Sequence, residues 1–270
     1  MAIHDAYGRI TPFELILPTG EFADERFPGI EEEAEDRGAD PGNPEAFPLL
    51  GEAGAILREL RPEDADPQLM TLYGNLLFHA YHFWKEGLPL YLTDTGVVRF
   101  LVETGPGEGA WKPSLPGRAG YVQLPQHLIW TVGAEEDAPE SLDGFFWSAP
   151  EGGDLSITVV LGIRRDRPGL SAVPLPPLPL ESAAPWASVS VRPDGQDFAT
   201  DLPGAELERL YGIEAGAEVL KLAMRVFWYL DTFPGSVAGA EGARKPNGDG
   251  DETGPVATHL ECRRIILGDA

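Results

Sequence analysis

The chain has 270 residues with 20 basic and 44 acidic side chains, a formal net charge of −24 at pH 7 and a sequence pI near 4.4. A polyanion of this kind repels phosphate backbones and anionic lipid surfaces, which excludes direct nucleic-acid or membrane-surface binding through charge. A hydrophobic share of 43% and a mean hydropathy of −0.16 exclude a wholly disordered acidic chain, and the length supports a sizeable core within a single domain over 1–270.

From the N-terminus, Met1-Ala2-Ile3-His4-Asp5 has no basic stretch ahead of an apolar run, and Cys262 is the only cysteine. Both features lead us to expect a cytoplasmic location. Phe13 to Leu17 alternates weakly and ends at Pro18, which predicts a short strand. Between Glu21 and Asp66 stand 15 acids and 4 bases, so residues 21–66 are expected to form an acidic, largely solvated segment. Within it, Gly54 to Leu60 reads as a short helix closed by Pro62.

The strongest helical pattern runs from Pro67 to Glu86, with Leu69, Leu72, Leu76, Ala80 and Phe83 at helical spacing and Gly87 at its end. Leu90 to Leu92 and Val97 to Val102 flank Asp94-Thr95-Gly96, which predicts a hairpin. Tyr121 to Val132, Phe145 to Ser148 and Leu155 to Ile163 read as further strands. In the last of these, Ile157, Val159, Leu161 and Ile163 share one face, and Ser156, Thr158, Val160 and Gly162 share the other. The acidic patch Glu135 to Glu140 reads as a loop.

Pro174-Leu175-Pro176-Pro177-Leu178-Pro179 imposes an extended conformation, and Ala187 to Arg192 alternates as an edge strand. A second main helix is expected within Ala205 to Leu230, broken by Gly212 and Gly216. Residues 235–254 form a flexible Gly-rich loop, and Leu260 to Leu267 returns as a strand. The resulting fold class is α+β, with an antiparallel, meander-like sheet packed against two main α-helices and an acidic N-terminal excursion.

Two constellations stand out as candidate sites. Phe100-Leu101-Val102-Glu103-Thr104-Gly105-Pro106-Gly107-Glu108-Gly109 is similar to the first motif of class I methyltransferases. In that family a strand ends in an acidic residue, and a Gly-x-Gly-x-Gly loop lets the backbone approach S-adenosylmethionine. The resemblance makes Glu103, Gly105, Gly107 and Gly109 ligand-binding candidates. It departs from the family where a helix belongs, because Pro113 and Pro116 stand there.

The second is a polar stripe of Thr71, Asn75, His79, His82 and Glu86 at i+3 or i+4 along the 67–86 helix. Asn75, His79, His82 and Glu86 are the candidates of this stripe; a divalent metal held by His79, His82 and Glu86 and completed by His127 or His259 is one reading, a solvent-facing side is the one we expect, and no metal is assigned. If the stripe is instead buried, it lines a pocket.

Weaker signals read structurally. Asn247 to Asp251 imitates a calcium loop without its glycine or its twelfth-position Glu, and Arg164 to Arg167 is a basic turn. Cys262 reads as a small buried hydrophobe. The proline run reads as a rigid connector. There is no G-x-S-x-G elbow and no phosphate-binding loop signature. The expected function is therefore a non-enzymatic protein-interaction or regulatory module that needs no cofactor and works with another protein, a homo-oligomer being compatible with this. The alternatives are an S-adenosylmethionine-dependent small-molecule enzyme and an acidic mimic of nucleic acid that binds a basic partner.

Overall fold

The computed structural model describes residues 7–19, 21–60, 66–131, 140–161, 171–192, 211–213, 216–240 and 257–268. The Arg164 to Arg167 cluster, Asn247 to Asp251, residues 205–210 of the expected second helix and most of the 235–254 loop lie outside them.

Among the described residues four α-helices precede the first strand: α1 (Pro12–Ile16), α2 (Glu21–Arg37), α3 (Gly51–Leu60) and α4 (Pro67–Lys85). They are followed by β1 (Leu90–Leu92), α5 (Thr95–Glu103), β2 (Ala119–Gln123), β3 (Ile129–Thr131), β4 (Glu140–Ser148), β5 (Ser156–Leu161) and β6 (Ser171–Pro174). Further described elements are α6 (Leu180–Ala183), β7 (Tyr211–Ile213), α7 (Gly216–Thr232), β8 (Val237–Ala240) and β9 (Cys262–Ile265).

Among the described residues the strands form one mixed sheet in the order β6-β5-β4-β2-β1-β9-β8, with β3 pairing β4 and β7. The α+β class stands, and β4, β5 and β6 do form an antiparallel meander. The purely antiparallel expectation needs correction: β1 runs parallel to both β2 and β9, and β3 runs parallel to β7. Helix α5 makes the β1-to-β2 crossover that a parallel pair requires.

Both faces of the sheet are covered. Tyr91, Val122, Phe145, Trp147, Ile157 and Val159 point to the side where α5 and α7 supply Val97, Val98, Leu101, Val226 and Phe227. Leu90, Leu92, Tyr121, Phe146 and Val160 point to the side of α1 to α4, where Phe27, Ile30, Phe47, Phe78 and Phe83 are packed. The period-two alternation read for β5 is the one observed.

Several local expectations are overturned. The predicted strand at Phe13 is α1, because Thr11 caps it and exchanges bonds with Glu14: Glu14 N–H donates to Thr11 Oγ1 at 3.4 Å and Thr11 N–H to Glu14 Oε2 at 2.8 Å. The predicted hairpin arm at Val97 is α5, for Asp94 is not a turn residue but an N-cap whose Oδ1 accepts the Val97 N–H at 2.8 Å. The edge strand expected at Ala187 is a 3-10 turn over Ala184–Ser188, with Pro185 in its first turn. Gly212 lies in β7, and Gly216 opens α7 rather than breaking it.

The acidic stretch is also more ordered than its composition implies. Helix α2 is 17 residues long and buries Phe22, Ala23, Phe27, Ile30 and Ala34, and α3 buries Ala53, Ile56 and Leu57, so within the expected solvated segment 21–66 these two helices are corrected to a layer packed on the core. The acids of α2 are compatible with folding because they occupy the other side of the helix.

Candidate functional site

The two polar constellations read from the sequence are separated in space. On α4, His79 is fully buried: its Nδ1 lies 2.9 Å from Ser148 Oγ on β4, and its Nε2 lies 3.5 Å from Ser156 Oγ on β5. Asn75 Oδ1 accepts the hydroxyl of Thr158. The middle of the stripe, Asn75 and His79, therefore faces the sheet, where the buried Ser148, Ser156 and Thr158 of β4 and β5 need partners, and the solvent-facing expectation is corrected there, while Thr71 and Glu86 at its two ends are exposed.

The members of the stripe do not converge. His82 Nε2 donates to the Pro41 carbonyl at 3.2 Å, while Glu86 is exposed past the helix end and accepts the Arg118 N–H at 3.4 Å. Burial lowers the pKa of His82 to about 4 and that of His79 to about 3, so both are neutral at pH 7. Among the described residues no group of three or more His, Cys, Asp or Glu is arranged to hold a metal. Asn75 and Thr71 instead line a groove of about 540 Å³ whose other wall is Pro174 to Pro177.

The glycine-rich string has a structural role of its own. Glu103 ends a helix rather than a strand, and Gly107 to Ala110 form a turn that does not enter a helix, so the strand-loop-helix geometry implied by the methyltransferase resemblance is not adopted. A Cβ on Gly105 would lie 2.5 Å from the Ala187 carbonyl oxygen and 3.0 Å from Arg225 Nε, so the glycine lets two chain segments touch. Gly109 has φ +67° and needs its glycine for that reason, whereas a Cβ on Gly107 would meet only Ala110 Cβ at 3.7 Å.

Arg225 of α7 is the clamp at this contact. Its Nε donates to Ala187 O at 3.1 Å, Nη2 to Val189 O at 2.9 Å, and Nη1 to Leu101 O and Val102 O, both at 2.8 Å. One buried guanidinium thereby satisfies the last carbonyls of α5 and the 3-10 turn together. Ser188 Oγ adds a bond of 3.3 Å to Gly107 O.

Between the two tethered segments lies a groove of about 510 Å³. Glu108, Gly109 and Trp111 line one wall, and Glu181, Pro185 and Val189 line the other. Trp111 is half-buried, and its Nε1–H donates to Asp231 Oδ2 at 2.9 Å. Of the four ligand-binding candidates Glu103, Gly105, Gly107 and Gly109, Gly109 alone lines this groove among the described residues, and sequence reasoning missed both Trp111 and the facing wall some seventy residues on.

A further polar cluster, missed in the sequence, closes the sheet internally. Arg9 and Asp143 are 4% and 3% exposed and pair at 2.8 Å; Tyr121 Oη donates to Asp143 Oδ2 at 2.6 Å and Gln123 Nε2 to Arg9 O at 3.2 Å. Asp143 sits at the register shift of β4 against β5, where the interrupted ladder gives its side chain room to turn inward. With every member bonded, this cluster specifies how the N-terminal segment seats on the sheet.

The surface carries the remaining charge. On α2, Glu21, Glu25, Glu32, Glu35 and Asp36 are exposed along the side opposite the core. Other acids are engaged: Glu52 and Glu59 with Arg26, Glu31 with Lys85, and Glu33 with Arg37 and the N–H groups of Gly51 and Glu52. Among the described residues, no helix is long and apolar enough to cross a membrane.

Compared with known proteins, the chain is similar to the crystal structure of AcrVA2, with a TM-score of 0.42 and 14% identity over 90% of this chain and 78% of that one. No family model and no curated protein matches it. A likeness this shallow bears on neither function nor partner.

Proposed function

We propose that this protein is a non-enzymatic interaction module that presents an acidic helical face to a basic surface on another protein. The observation that carries the reading is the outer stripe of α2, where Glu21, Glu25, Glu32, Glu35 and Asp36 stand exposed while the opposite face is sealed by Phe22, Phe27 and Ile30. Like charges at i and i+4, as in Glu21 with Glu25 and Glu32 with Asp36, destabilise a helix by a few tenths of a kcal/mol per pair. Core packing offsets that cost, and the helix fixes the backbone positions from which the carboxylates project. Lysines and arginines of a partner relieve the repulsion and gain from electrostatic steering during encounter. The buried ionisable groups Arg9, Asp143, His79 and Arg225 are meanwhile engaged in internal bonds that hold the fold.

The test is co-purification from the native host with wild-type protein and with a variant in which Glu21, Glu25, Glu32 and Glu35 are replaced by Gln. A basic protein held by the wild type at low salt, released at high salt and absent from the folded variant is the expected result. Retention that ignores both salt and the four substitutions overturns the reading. Release by excess duplex DNA identifies the bound surface as a nucleic-acid groove, the special case in which the acidic face acts as a mimic.

A further inference from the structure

The groove between the glycine-rich loop and the 3-10 turn is built differently from the α2 stripe. It lies with α5 and α7, whereas α2 packs on the other face of the sheet, so it is a second surface rather than an extension of the first. Its size, about 510 Å³, is within the range of side-chain and small-ligand sites. Among the described residues its chemistry combines one aromatic side chain, Trp111, with the carboxylates of Glu108 and Glu181 on opposite walls, and none of the described lining side chains is a cation. Lys112, next in sequence to Trp111, does not line it.

Four features suit this groove to a planar cation carried on a peptide. An indole ring attracts a cation to its face, and arginine is favoured over lysine because its guanidinium stacks on the ring while its edge donates to carboxylates. The bond from Trp111 Nε1–H to Asp231 places a further carboxylate at the edge of the same ring, and that polarisation strengthens the attraction. The walls are also preformed, because Arg225 and Ser188 tie the loop and the turn together without help from an occupant. Finally the mouth is open: Glu108, Glu181, Pro185 and Val189 are exposed, which suits a side chain delivered on a peptide better than an enclosed small molecule.

We propose that this groove receives a single arginine side chain of a peptide segment, seated against Trp111 between Glu108 and Glu181. The choice of a peptide rather than a free cation as its source rests on the interaction-module reading; the choice of an arginine does not.

The test uses nuclear magnetic resonance of the full chain, following the Trp111 indole N–H, identified by its loss in Trp111→Phe. The probes are acetyl-Gly-Arg-Gly-amide, its citrulline counterpart and methylguanidinium. The arginine peptide is expected to give a saturable shift at Trp111 and at the Gly107 and Gly109 amides, and the citrulline peptide none. Glu108→Gln and Glu181→Gln, both at exposed positions that leave the fold intact, are each expected to weaken the affinity by about two- to fivefold. The α2 variant with four Gln substitutions is expected to titrate as the wild type does, so a failure of the groove and a failure of the α2 face read out separately.

Equal shifts from arginine and citrulline, or shifts that ignore both groove substitutions, overturn the proposal. So does a response lost in the α2 variant, which marks non-specific attraction to an acidic chain. An affinity for methylguanidinium equal to that for the peptide overturns the peptide assignment in favour of a small organic cation.

Discussion

Gly105 shows how a residue singled out for chemistry is explained by packing. Replacing it with Val forces side-chain atoms against the Ala187 carbonyl and Arg225, and the cost of such overpacking is about 1–3 kcal/mol. Thermal unfolding is expected to show that loss for Gly105→Val and almost none for Gly107→Ala, whose Cβ meets only ordinary contact distances. A cofactor loop would instead be sensitive at both glycines. Burial sets the behaviour of the histidines in the same way. With pKa values near 4 for His82 and near 3 for His79 in the fold, against about 6.5 unfolded, the unfolded chain binds more protons between pH 6.5 and 4. Stability is therefore lost from this source as the pH falls through that window. Because 44 acids shed their mutual repulsion over part of the same range, the comparison to make is wild type against His82→Gln in denaturant titrations at several pH values. The wild type is expected to lose more stability on acidification than the variant, and parallel profiles would refute the assignment. The Arg9 to Asp143 pair was illegible in the sequence for a plain reason. Its partners are 134 residues apart, and neither a lone Arg nor a lone Asp carries any mark of burial.

At the scale of elements, the clearest lesson comes from the two short helices taken for strands. The capping signals were present: Thr11-Pro12-Phe13-Glu14 is a capping box with proline in the first turn, and Asp94 stands three residues before the Val97 N–H that it accepts. In α5 the buried residues Val97, Val98, Leu101 and Val102 also follow helical rather than alternating spacing, and the β-branched composition concealed it. Helix α4 and strand β5 were legible because the apolar residues of each recur at one period along its length, even though Asn75, His79 and His82 interrupt the apolar face of α4. Helix α2 was concealed by charge. Its acids dominate the composition, yet the buried positions Phe22, Ala23, Phe27, Ile30 and Ala34 mark a single inner face. Phe27 is fully buried and packs edge-on against Tyr81 at 5.9 Å and Trp84 at 5.5 Å. Phe27→Ala is accordingly expected to destabilise the protein by about 3–5 kcal/mol in chemical denaturation. A removable excursion would show no such effect, and a loss below about 1 kcal/mol would contradict a core role for α2.

For the whole molecule, the arrangement divides labour between the inside and the outside. A mixed sheet covered on both faces by helices consumes the aromatic residues and the buried polar groups, and the negative charge is left on the surface, concentrated where α2 turns its acids outward. The mixed topology was beyond the reach of the sequence, because the parallel pairing of β1 with β9 joins residues about 170 positions apart through short strands that look alike in either direction. The groove beside Trp111 was not legible as a groove, because one wall lies in the glycine-rich string and the other in a segment that carried no motif. The acidic surface itself was legible from composition; its rigid helical presentation was not. Native mass spectrometry of the protein purified gently from its own host tests the central claim most directly. The account predicts a co-purifying protein mass that disappears when Glu21, Glu25, Glu32 and Glu35 are replaced by Gln. A retained small-molecule mass with no protein partner, unchanged by those substitutions, would contradict it.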